Sequence, residues 1–249
     1  MKKIFIGLCV LFLIGLGFLY YPFFTPAIHN QIDASKIGHI KKVVVLSNSI
    51  LRHAPASHLG WQGNWGMAAS VPDSDFYHRL IRDIHARDTT VIITSGIINR
   101  FEWSYPTYAL SNLDTFRNAD MYIIRLSENV DDRKAVQQHF IAYYDRMIRY
   151  LDPQQRAVKV IVEGFWKKGY RWPQPWVKAD VNAMIRDYAI EHQYPFIKCT
   201  YLFKQSGNNA RGIYKDYGVS NHPSDQGMRR IEENIWEYIQ AYFPAKQAH

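Results

Sequence analysis

Between residues 41 and 243, short aliphatic runs alternate with amphipathic stretches. Val43-Val44-Val45-Leu46, Thr90–Thr94, Met121–Leu126 and Val158–Val162 are nearly continuous apolar runs of strand length. Such runs predict strands buried on both faces, because a half-exposed strand would alternate with polar residues. Asp75–Arg87 carries Phe76, Leu80, Ile81 and Ile84 at helical spacing. Asp132–Leu151 puts Val136, Phe140, Tyr143, Tyr144, Met147 and Ile148 on one side, with Pro153 beyond its end, and predicts one long helix. Val177–His192 and Ser224–Phe243 read as further helices, and Pro195–Lys198 as a short last strand. This alternation predicts the α/β class: a three-layer α/β/α sandwich, flavodoxin-like, with a mainly parallel sheet of about five strands. In such sheets ligands bind at the carboxyl ends of the strands. The chemistry is therefore expected after Leu46, Thr94, Leu126 and Val162, and in the loop before the last helix.

The N-terminus follows another pattern. Ile4 to Phe24 is a run of 21 residues without a charge, which as a helix spans about 30 Å, the hydrocarbon thickness of a bilayer. Lys2 and Lys3 precede it, Tyr20, Tyr21, Phe23 and Phe24 close it, and no small-x-small cleavage site follows. The expectation is an uncleaved signal anchor, one transmembrane helix within residues 1–25, that leaves the rest on the periplasmic or extracellular face; secretion after cleavage is the alternative. Residues 26–40 read as a tether and 41–249 as the folded domain. Cys9 would sit in the membrane and Cys199 outside it, so the two do not pair.

Composition narrows the function classes. An apolar share of 47% excludes bulk disorder. No Cys/His cluster has zinc-ligand spacing, and neither metal nor cofactor is expected. The net charge is +8, but the basic residues are scattered, with no run of five. No nucleic-acid motif or stripe accompanies them, so a nucleic-acid partner is not expected; a basic exported domain suits an anionic membrane or an acidic polysaccharide.

The strand-end loops hold four blocks. Ser47-Asn48-Ser49-Ile50 follows the first strand. Gly60-Trp61-Gln62-Gly63-Asn64-Trp65-Gly66-Met67-Ala68-Ala69-Ser70 comes next, Ser127-Glu128-Asn129-Val130 follows the third strand, and Gly218-Val219-Ser220-Asn221-His222-Pro223-Ser224-Asp225 precedes the last helix. A serine, a glycine turn, an asparagine and a histidine thus share one edge of the sheet. Together, and in that chain order, they resemble the SGNH hydrolases, the GDSL-type serine esterases, over about Lys41 to Phe243. The resemblance implies that Ser49 is the nucleophile and His222 its general base. It further implies an oxyanion hole formed by the Ser49 N–H, a backbone N–H at Gly66 (Gly63 being the alternative) and the Asn129 side chain.

Three positions depart from the family pattern. Ser47-Asn48 stands where Gly-Asp is usual, Ser-Glu-Asn-Val where Gly-x-Asn-Asp is usual, and Val219 where an acid lies three residues before the histidine. Some superfamily members share the Asn and the Val. Asp216, Asp225, a main-chain carbonyl or nothing could then orient His222, and losing the orienting acid costs a triad enzyme up to ~10⁴-fold.

Each residue also has a plainer use. Ser49 could be a turn residue, His222 a surface histidine, Asn129 a helix cap, Asp225 a first-turn acid and Gly60 and Gly63 parts of a tight turn. His53, His58, Glu102 and Glu163 lie near loop ends without an assigned role. The tryptophans of the 165–176 loop, with Trp61 and Trp65, could stack on sugars or simply pack. The function implied is a membrane-anchored serine esterase, acting through an acyl-serine on a small acyl ester, acetyl above all, of an envelope carbohydrate. The alternatives are an O-acyltransferase on a cell-envelope polysaccharide, an inactive SGNH-fold carbohydrate-binding or assembly protein, and a lipase-like enzyme preferring long chains.

Overall fold

The computed structural model describes residues 32–166 and 180–245. The expected anchor, residues 26–31 of the tether, and Trp172 and Trp176 lie outside them. No helix among the described residues is long and apolar enough to cross a membrane. Five parallel strands form one sheet: β1 Lys42–Ser47, β2 Ile92–Ile97, β3 Met121–Arg125, β4 Val158–Val162 and β5 Phe196–Ile197, in the order β2-β1-β3-β4-β5. The helices are α1 Phe76–Arg87, α2 Asn99–Ser104, α3 Asp132–Gln137, α4 Phe140–Leu151, α5 Val181–Glu191, α6 Tyr217–Ser220 and α7 Asp225–Ile239.

β1, β3 and β4 are buried along their whole length or nearly so because both faces are covered, whereas β2, expected to be buried on both faces, is an edge strand with Ile92 and Ile97 exposed. Val43, Val45, Met121, Ile123, Val160 and Val162 point into one core with Leu80 and Ile84 of α1 and Ile231 and Ile235 of α7. Val44, Leu46, Tyr122, Ile124 and Ile161 point into the other, with Phe101 of α2, Tyr144 and Ile148 of α4 and Ile185 of α5. The two faces follow from the two-residue period of a strand. β1 is paired on both sides, with Ser47 opposite Ile97 of β2 and Val43 opposite Met121 of β3. The chain leaves β1 toward β2 and returns past it to β3, so the switch in strand order falls between β1 and β3. A crevice opens there at the carboxyl ends.

The long helix expected over Asp132–Leu151 is in fact two, α3 and α4. His139 between them has φ 54°, in the left-handed region, which is strained for a residue with a Cβ and breaks the helical ladder. The last helix stops at Ile239 and tightens into a 3₁₀ turn over Gln240–Tyr242. Cys199 is buried, and burial pushes its thiol up to about 12. Exposed His139 offers a test of the break: His139→Gly is expected to stabilise the fold by about 1 kcal/mol, since glycine adopts the left-handed conformation freely. The check is a raised urea midpoint with an unchanged m-value; a lowered midpoint would contradict the account.

Candidate active site

Ser49 lies two residues past β1, in a turn where the Leu51 N–H donates to the Asn48 carbonyl (2.9 Å) and the Ile50 N–H to Asn48 Oδ1 (3.2 Å). His222 arrives from the loop between α6 and α7. Asp216 caps α6 by accepting from the Val219 N–H at 2.9 Å, and Ser224 caps α7, so both ends of that loop are fixed. The structure brings the two residues together: Ser49 Oγ stands 2.8 Å from His222 Nε2. The other ring nitrogen, Nδ1, lies 2.8 Å from the Gly218 carbonyl oxygen. A carbonyl only accepts, so Nδ1 carries the proton, and the neutral ring presents a lone pair on Nε2 to the Ser49 hydroxyl, which donates. The main-chain carbonyl is thus the group that orients His222. Asp216 is occupied as a cap, and Asp225 accepts from the Ser70 N–H and hydroxyl at 2.7 and 2.6 Å.

The imidazole is 7% exposed, with the Trp166 ring edge-on to it at 5.1 Å between centroids. Burial holds the His222 pKa down, at about 4; the charges of His53 and Arg125 add to this, while the Gly218 bond and the Glu128 charge oppose it. The ring is therefore a neutral base throughout the physiological range.

Asn129 is fixed by a carboxylate from the helix that follows β2. Glu102, buried on α2, accepts from the Asn129 side-chain amide at 2.7 Å, the Ser127 N–H at 2.8 Å and the Asn129 N–H at 3.3 Å. It also meets the Asn48 amide, at 3.2 Å to Oε2, and that same nitrogen donates to Glu128 Oε2 at 2.8 Å. Glu128 in turn pairs with buried Arg125 and accepts from the Phe165 N–H at 2.7 Å. Burial, and then the Glu128 charge, raise the Glu102 carboxyl to about 7. The Ser49 turn and Asn129 are thereby locked to one carboxylate. Nothing in the sequence singles out Glu102 for this, since the residue reaches the site from the short helix after β2.

Gly66 requires a correction. Its N–H donates to Asp75 Oδ2 at 3.0 Å, so it is not an oxyanion donor. A Cβ there would fall 2.7 Å from the Ile50 carbonyl oxygen and 2.8 Å from the Asp75 Cβ. The glycine is needed for close packing against the Ser49 turn, whose Ser49 carbonyl accepts from the Met67 N–H at 3.0 Å. Gly63 is likewise packed between rings, with a Cβ placed 2.4 Å from Trp61 and 2.8 Å from Trp65. Gly60 has φ 73° and closes a turn. Glu163 accepts from the Cys199 and Thr200 N–H groups, both at 2.9 Å, and serves β5 and not His222. His58 sits exposed on a 3₁₀ turn.

No protein-family model matches the chain, and no curated protein matches it. Solved structures do. A two-domain esterase, CEX, active on acetylated mannans and co-crystallised with mannopentaose, superposes with a TM-score of 0.51 at 16% identity, over 84% of this chain and 51% of that one. This chain thus spans about half of that protein's length. TesA superposes at 0.51 with 9% identity, over 81% and 99% of the two chains. A member of the lipolytic G-D-S-L family from Veillonella parvula DSM 2008 gives 0.49 at 14% identity, over 80% and 98%. The chain has the SGNH-hydrolase fold.

Two departures from the SGNH pattern sit in buried surroundings. The Asn48 amide nitrogen sits against Glu102 and Glu128, so an aspartate at this position would add a third buried carboxylate to two. Val219, three residues before His222, has its side chain fully buried in a small apolar cluster with Trp61, Met67 and Ala68. Among the described residues, no group of three or more His, Cys, Asp or Glu side chains is placed to hold a metal ion.

Two outcomes are expected. Asn48→Asp should cost about 3–5 kcal/mol of stability at pH 8 and clearly less at pH 5, because a carboxylate forced into this cluster is tolerated only when a proton neutralises it. Urea denaturation at the two pH values checks this, and equal losses would count against the network. The second concerns the base. With His222 titrating near 4, kcat/KM for a neutral ester should be flat from about pH 6 to neutrality and fall tenfold per unit only below about 4. Stability has the same sign. Between the folded value and the ordinary 6.5 the unfolded chain binds the extra proton, so the His222 contribution is present above 6.5 and is lost as pH falls through 4. An acid limb centred at 6.5 would mean a solvated histidine.

Proposed function

We propose that this protein is a serine esterase that removes a small acyl group, acetyl above all, from a carbohydrate ester. The observation that carries the reading is the chain Ser49 Oγ, His222 Nε2, His222 Nδ1, Gly218 O, with 2.8 Å at each hydrogen bond. In the first half-reaction Ser49 Oγ attacks the ester carbonyl carbon while its proton passes to His222 Nε2. The tetrahedral oxyanion is held by the Ser49 N–H and the Asn129 amide. It collapses with loss of the alcohol, which leaves with the proton from His222. In the second, water gives a proton to His222 and attacks the acyl-Ser49, releasing the acid and restoring the serine. The orienting carbonyl preserves the correct tautomer, whose loss is what makes an acid-to-amide change so costly in a triad. It supplies a dipole in place of a full counter-charge.

The carbohydrate part draws support from the mannan esterase of the same fold, and export from the uncharged Ile4–Phe24 run behind Lys2 and Lys3. Transfer to a sugar hydroxyl in place of water uses the same acyl-enzyme, so an acyltransferase on an envelope polysaccharide is the companion reading. The test is p-nitrophenyl acetate hydrolysis. Ser49→Ala should lower kcat by at least about 10⁴-fold, and Asn129→Ala by about 10²–10³-fold, with folding verified by circular dichroism. Equal rates for wild type and Ser49→Ala would end the esterase reading.

A further inference from the structure

A cavity of about 480 Å³ opens beside the carboxyl end of β2, a volume within the range of small-ligand sites, roughly 300–1,000 Å³. It borders the nucleophile turn. Arg52, on its wall, is three residues past Ser49. Ile98, also on the wall, donates its N–H to the Ser47 carbonyl at 2.8 Å. Ser47 pairs in register with Ile97, and two residues past that pair stand Ser49 after β1 and Asn99, a wall residue, after β2.

The wall is polar and basic. Arg52 and Arg100 line it with Asn99, Asn112 and Tyr108, and no acidic side chain does. Both arginines are exposed, and neither is paired with a carboxylate among the described residues. Elsewhere surface arginines such as Arg82, Arg149 and Arg230 meet carboxylates at 2.7–3.0 Å. The Arg100 charge reaches the Tyr108 hydroxyl, which also interacts with Asn112. Two guanidinium groups without a carboxylate partner among the described residues, on a wall that also carries amide and phenol groups, are a donor set for an oxyanion on a hydroxylated ring.

We propose that this cavity is a substrate subsite for a sugar-borne anion, so that the ester cleaved at Ser49 belongs to an acidic glycan. The proposal rests on the esterase reading for what happens at Ser49, but its binding claim is separately measurable. Calorimetric titration of the wild-type protein at low salt with tri-galacturonate, a phosphorylated mannose trisaccharide and neutral mannotriose reads it directly. One of the two anionic sugars should bind about tenfold or more tighter than the neutral one, the increment of a charge-assisted hydrogen bond, and its advantage should shrink as salt rises. Which anion binds better identifies it as carboxylate or phosphate. The double variant R52A/R100A should lose the preference, and R52K/R100K should keep part of it. Equal affinity for charged and neutral sugars, or a preference that survives R52A/R100A, overturns the proposal. Failure of Ser49-dependent p-nitrophenyl acetate hydrolysis would strike the esterase reading alone, since sugar binding is read without turnover.

Discussion

An imidazole that stays uncharged inside the protein is the constraint on which this site depends. In the proposed reaction His222 takes a proton from Ser49, which requires a neutral ring that offers the Nε2 lone pair and not the Nε2 proton. Burial enforces the first condition and the Gly218 carbonyl the second. Both are properties of the backbone path between two capped helices. Asp216 at one end and Ser224 at the other fix the loop that presents carbonyl and ring to each other. The base is thus positioned by helix capping, without a dedicated acidic side chain.

A second constraint lies beneath the nucleophile. Glu102 and Glu128 are both buried, and the donors around them are the parts that a hydrolytic site needs held still: the Asn48 amide that shapes the Ser49 turn, and the Asn129 amide. A buried carboxylate tolerates burial only when its lone pairs are met, so any movement of these amides would leave a charge unsatisfied. Rigidity at the oxyanion side follows from the cost of exposing that carboxylate to an apolar interior.

Much of this was legible in the sequence. The strands stand out because burial on two faces makes them continuously apolar, and Val158–Val162 keeps the same bounds in the structure. The α2 and α6 helices, six and four residues long, are too short to show a helical period. The break at His139 shifts the buried face: Ala135 is buried and Val136, which periodicity placed on the apolar side with Phe140 and Tyr144, is exposed. The meeting of Ser49 with His222 was readable from their order and their strand-end loops. Gly66 was not, because a sequence shows that a Cβ is missing but not whether the backbone N–H or the vacant space is what matters. Glu102 was hidden for another reason: its partners come from the ends of β1 and β3, and only the sheet order brings them to one carboxylate.

The filled cluster around Val219 sets the evolutionary reach of this site. In a chain where the position three before the histidine faced solvent, one base change could exchange an acid for a carbonyl-oriented ring and back again. Here that side chain is wedged against Trp61, Met67 and Ala68, so an acid arriving alone would be stranded in hydrocarbon. Return to a charged triad would demand that the tryptophan-bearing loop be rebuilt first, which makes the present arrangement a ratchet.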